Sequence, residues 1–197
     1  MSAVLRQALT DPGDPPLREL PAEAADLLLI LDAPPRLAAH LRAVHDVAAR
    51  LIAWLADNHQ DLAFDSEAVL FGAATHDIGK IVHVEELSGP GSQHELAGRQ
   101  LLLQAGIKPR LARFAATHAI WQGFDVELED LLVSVADQVW KAKRVPDLEQ
   151  RVVNRLTVAS GQQPWQVFLD LDDQLEQLAA DADHRIAFQN SYPIQSG

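Results

Sequence analysis

Apolar residues recur along most of this chain at the three-to-four-residue spacing of helices, and no alternating strand pattern interrupts them. Pro34 and Pro35 open a predicted helix to about Asn58, with Leu37, Leu41, Val44, Ala48, Leu51, Ile52 and Leu55 on one face. Asp65 or Ser66 caps a second, Glu67 to about Asp77, whose middle is apolar all round and is therefore expected to be buried. Ser92 to Glu95 reads as a capping box for a helix stopped by Gly106, and Pro109 starts another to about Trp121. Acidic Glu127, Glu129 and Asp130 and basic Lys141, Lys143 and Arg144 match the two ends of a helix dipole at about 127–143. Two more helices are predicted, Asp147 to Ala159 and Pro164 to Phe188. The expected fold is all-α: a single-domain helical bundle over 22–145, a C-terminal helical extension at 146–197 packed on it, and an irregular, proline-rich lead-in at 1–21.

Composition narrows the chemistry. The 197 residues carry 16 basic and 28 acidic side chains, a formal charge of -12, which disfavours long nucleic acids and anionic membrane surfaces as partners. The absence of cysteine excludes disulfides, thiolate metal sites and a cysteine nucleophile, so any metal must be held by nitrogen and oxygen. The longest aliphatic run, Leu27 to Leu31, is far below the ~20 residues of a membrane helix. The first residues show no secretion-signal pattern, and a cytoplasmic location is the expectation.

Several ionisable residues fall on the apolar faces. His45 lies on the core stripe of its helix, His76 and Asp77 end the apolar helix, and His94 shares a face with Ala97 and Leu101. His118 follows Leu111, Phe114 and Ala115, and Asp137 lies between Val133 and Trp140. Burying an ionised carboxylate costs several kcal/mol unless it is paired or bound to a cation, and imidazole with carboxylate is the ligand set of Fe, Mn, Co, Ni or Zn. One or two divalent transition ions are therefore expected. His40, about 140° round the helix from His45, is expected to lie outside the site, on the surface or at a cap. Glu85 and Glu86 read as solvated charge on a loop that is also a candidate lid.

The order His45, His76-Asp77 within Thr75-His-Asp-Ile-Gly-Lys80, His94, His118, Asp137 resembles the H…HD…H…H…D signature of binuclear members of the HD-domain superfamily, all-α metal-dependent phosphohydrolases. The resemblance covers about residues 22–145. It implies that His45, His76, Asp77 and Asp137 hold one metal and that Asp77 bridges to a second held by His94 and His118. It also implies that Lys80 reaches a substrate phosphate or carboxylate. A metal-activated water would be the nucleophile; with one metal only, His94 and His118 would serve as general acid and as a hydrogen-bond donor to the leaving phosphate. His83 is a candidate substrate contact at the entrance. Catalytic work is thus expected of Asp77, Lys80, His94 and His118.

After His118 the sequence Ala119-Ile-Trp-Gln-Gly lacks the Gly-Tyr-Pro triplet of the cyclic-dinucleotide phosphodiesterases of the superfamily, and there is no synthetase-like second domain. Small stand-alone members with this ligand order include diadenosine-tetraphosphate hydrolases. The expected substrate is a small phosphorylated metabolite such as a nucleotide, and a homodimer is a possible assembly. The same ligand order also occurs in mixed-valent di-iron oxygenases such as myo-inositol oxygenase, the second expectation. A catalytically silent ligand-binding module is the third.

Overall fold

The longest helix is the axle of the molecule. Pro35, with no N–H to satisfy, begins it, and in the computed structural model it runs Pro35–Asn58 with every residue from Leu37 to Ala49 buried. The structure describes residues 2–123 and 125–194; Met1, Phe124 and residues 195–197, which belong in part to the expected lead-in and extension, lie outside it. In chain order the helices are α1 (Ala3–Thr10), α2 (Ala22–Ile30), α3 (Pro35–Asn58), α4 (Ser66–Thr75), α5 (Gln93–Gln104) and α6 (Pro109–Ala112). They continue with α7 (Phe114–Thr117), α8 (Leu128–Val139), α9 (Pro146–Ser160), α10 (Pro164–Ala180) and α11 (Ala182–Asn190). Single 3-10 turns at Ile78–Ile81 and Val84–Leu87 separate α4 from α5, and the described residues contain no strand. None of their helices is long and apolar enough to cross a membrane.

Two apolar cores flank α3. One gathers Val44, Val47, Ala48, Leu51 and Leu55 with α4, α8, α9 and α10, through residues such as Val69, Leu132, Val152, Leu171 and Leu175. The other packs Leu37, Ala38 and Leu41 against α1, α2, α4 and α5 through Leu5, Leu28, Phe71 and Leu102. The C-terminal helices α9 and α10 therefore share the bundle's core.

Four elements depart from the sequence pattern, the first being the helix expected from Pro109 to about Trp121, which is two short ones, α6 and α7, ending at Thr117. The lead-in holds a helix, α1, which buries Leu5, Ala8 and Leu9. Arg42, fully buried in α3, ties it and the following loop down by donating to the carbonyls of Ala8, Asp11 and Leu17. The helix expected at 164–188 breaks at Asp181, which Arg50 holds at 2.7 Å, so the chain turns and α11 folds back along α3. Finally, α8 stops at Val139, because Ala142 adopts a left-handed conformation (φ 57°) that a helix does not accommodate.

Candidate metal centre

Close backbone approach brings the site together. Asp65 caps α4 by accepting from the N–H of Ala68 at 2.9 Å, and the helix delivers His76 and Asp77 at its end. There the chain tightens into the first 3-10 turn, and α5 crosses it so closely that a Cβ at Gly79 would lie 1.9 Å from the carbonyl oxygen of His94. Glycine is required at 79 for this crossing, which places His94 beside Asp77. On the other side, Arg113 grips Asp130 of α8 at 3.1 and 3.2 Å, and Thr117 donates to the same carboxylate at 2.8 Å. These bonds join α7, with His118 at its end, to α8, which carries Asp137.

Asp77 is the centre. It is 3% exposed, and its two oxygens face different partners. Oδ2 lies 3.0 Å from His40 Nε2, 3.6 Å from His76 Nε2 and 2.6 Å from Lys80 Nζ. Oδ1 lies 3.0 Å from His94 Nε2 and 3.6 Å from His118 Nε2. Asp137 Oδ1 approaches His76 Nε2 at 3.4 Å. Two triplets of potential ligand atoms result, His40 with His76 and Asp137, and Asp77 with His94 and His118.

The far side of each ring explains how it is held. The Nδ1–H of His76 donates to the Ala73 carbonyl at 3.0 Å, that of His118 to Phe114 at 3.2 Å, and that of His40 to Gln189 Oε1 at 3.1 Å. His94 Nδ1 makes a short bond to Glu86. Because every one of these partners is an acceptor, each ring donates from Nδ1 and turns Nε2 towards Asp77. The Nε2 atoms of His40, His76 and His94 are buried without a hydrogen-bond partner. A buried unsatisfied group costs about 1–3 kcal/mol, and three ring nitrogens converging on one carboxylate form a ligand set suited to a cation. The residues present fit a divalent metal.

Electrostatics agree with an anionic centre ringed by bases. Burial would push the Asp77 carboxyl up, but the surrounding His76, His40 and His94 imidazoles and the Lys80 ammonium hold it well below its ordinary range. Burial likewise opposes ionisation of Asp137, yet His76 and Lys141 bring it down to about 2. Burial lowers His40, and it lowers His118 to about 4, His76 adding to the latter effect. For His76 and His94 burial is outweighed by the neighbouring carboxylates, and their values are raised.

A cavity of about 290 Å³ opens onto this centre, walled by Lys80, Leu87, Trp140, Lys141 and Gln189 as well as by the ligand side chains other than His76. Of the sequence candidates, His76, Asp77, His94, His118, Asp137 and Lys80 are brought together. His45 is not. It is buried, but on another face of α3 near Arg18 and Arg42, whose charges reinforce burial in lowering it to about 4. The residue that joins the cluster from α3 is His40, 7% exposed and packed edge-on against Trp140 with ring centres 4.8 Å apart. The face argument failed because α3 has no solvent face along Leu37–Ala49: both histidines are inside, and only the packing of α4 and α8 decides between them. His83 is not among the cavity-lining residues and sits 3.4 Å from Glu85. Glu86, read from sequence as solvated, is 6% exposed and accepts from the backbone N–H groups of Gln93 and His94. Gln189 was missed altogether, because it comes from α11, far away in the sequence.

An all-α bundle with an Asp-centred imidazole cluster at the end of a helix defines a class. The HD domain family model matches residues 38–142, over half the chain, and the protein belongs to the HD domain family. Families of this kind bind divalent metals and are mostly metal-dependent hydrolases. Comparison with curated proteins and with solved structures finds no match.

Proposed function

We propose that the protein is a metal-dependent phosphohydrolase that cleaves a phosphate ester or anhydride of a small metabolite, a nucleotide above all. His40, His76 and Asp137 would hold one divalent transition ion and His94 and His118 a second, with Asp77 shared between them. The observation that carries this reading is the convergence of three buried Nε2 atoms on Asp77, each ring fixed from behind by an acceptor. Bound divalent cations polarise a phosphoryl oxygen and lower the pKa of water towards neutrality.

The chain's own groups do the rest. Lys80 stands in the wall of the cavity, 2.6 Å from Asp77, and supplies a positive charge for a substrate phosphate. Trp140 and Leu87 present apolar surface to the remainder of the substrate, and Lys141 adds a second cation at the wall. A cavity of about 290 Å³ suits a small molecule. The overall charge of -12 repels a long polyanion.

The test is metal analysis of protein purified with and without oxygen, then a phosphate-release screen across nucleotides and sugar phosphates with Mn, Co, Ni or Fe. Metal-dependent phosphate release that Asp77→Ala abolishes supports the proposal. Oxygen consumption with a mixed-valent iron signal and no phosphate release would replace it with the oxygenase reading, and a chain that binds no metal contradicts both.

A further inference from the structure

We propose that Glu86 is the positioning residue of the centre's second half, fixing the His94 ring in the orientation that a ligand needs; this rests on the metal reading above. Glu86 lies on the 3-10 turn Val84–Leu87, between the His76-Asp77 doublet and α5. Its carboxylate does two things at once. Oε1 accepts from the N–H of Gln93 at 3.1 Å and Oε2 from that of His94 at 3.3 Å, so it caps α5 where Ser92 makes no side-chain cap. Oε2 also receives the Nδ1–H of His94, whose opposite nitrogen lies 3.0 Å from Asp77.

Room for this carboxylate is made at Gly91, where an added Cβ would fall 2.3 Å from Glu86 Oε1 and Cδ. The other three imidazoles lean on neutral acceptors, two backbone carbonyls and the Gln189 amide. Only His94 is backed by a carboxylate. Removal of such an outer partner lowers metal affinity by roughly 10–100-fold in other centres. The arrangement also couples loop to ligand: displacement of the turn carrying Glu86 takes away both the α5 cap and the acceptor behind His94.

The experiment has a metal-free arm and a Mn²⁺ arm on the full chain, comparing wild type with Glu86→Ala and Gly91→Ala. In the metal-free protein, ¹⁵N NMR of the His94 ring is expected to show a strongly hydrogen-bonded Nδ1–H in wild type, and that signal is expected to shift or be lost in both variants. In a Mn²⁺ titration both variants are expected to keep one equivalent at wild-type affinity and to weaken the other by about 10–100-fold. Circular dichroism separates this from loss of helix. Should Glu86→Ala fail to fold, Gly91→Ala carries the test, since it shifts the carboxylate and removes no polar group. An unchanged His94 Nδ1–H signal in a folded variant, or two equivalents bound with wild-type affinity, overturns the proposal. If wild-type protein shows the hydrogen-bonded Nδ1–H but binds no Mn²⁺, the metal reading has failed while the Glu86 contact stands.

Discussion

The two halves of the candidate centre are built differently. His40, His76 and Asp137 come from α3, the end of α4 and α8, helices whose flanks lie in the apolar cores. His94 and His118 come from the first turn of α5 and the end of the four-residue α7, elements reached through 3-10 turns and loops. Outer support differs at one ring. His40, His76 and His118 are backed by an amide and two backbone carbonyls, whereas His94 is backed by a buried carboxylate from a loop. A half-site on helices packed into the core inherits its precision from it; one reached through loops draws on a dedicated positioning group at His94, and its metal is expected to be the weaker bound.

The shared residue breaks the comparison most completely. Asp77→Ala is expected to remove both Mn²⁺ equivalents, read by metal content after gel filtration, and to bring phosphate release to background. Next comes the choice between the α3 histidines: His40→Ala should lose one equivalent and most activity, while His45→Ala keeps two, measured by titration calorimetry. If His45→Ala instead loses an equivalent, the assignment of the first half is wrong.

A smaller effect is expected at Gln189. Gln189→Ala should weaken the first equivalent by about 10-fold or less, since a neutral acceptor from α11 contributes less than the Glu86 carboxylate. The smallest lies at the base of α4. Asp65→Ala, losing the cap on Ala68, should cost about 1 kcal/mol in thermal unfolding at neutral pH and leave both equivalents in place. The hydrogen bond from Arg110, then the cap, hold the Asp65 carboxyl below its ordinary 3.8. Stability from the ionised form is therefore present above that value and lost as pH falls through the lower folded value. The difference between wild type and variant should shrink on acidification.

Helices were readable from spacing and caps because those signals are local. Pro35, Asp65 and Gly106 mark ends that the structure reproduces to within a residue or two. Five of the six ligand candidates could be read because a charged or imidazole side chain on an otherwise apolar face is conspicuous. The α3 histidine could not, since periodicity identifies one stripe and α3 is enclosed on every side from Leu37 to Ala49. Glu86 and Gln189 were hidden for another reason: their roles are set by tertiary contacts across 8 and 149 positions, and an acidic loop residue or a glutamine near the end of the chain looks like solvated surface. The α10–α11 break was hidden in the same way, being stabilised by Arg50 from α3.

The central claim is that a pair of ligand sets meets at Asp77 with His40 in one of them. Anomalous diffraction from crystals of the full chain soaked with Mn²⁺ tests it most directly. The account predicts two anomalous peaks that share Asp77, one bounded by His40, His76 and Asp137 and the other by His94 and His118. No peak at Asp77, or a peak ligated by His45, would contradict it.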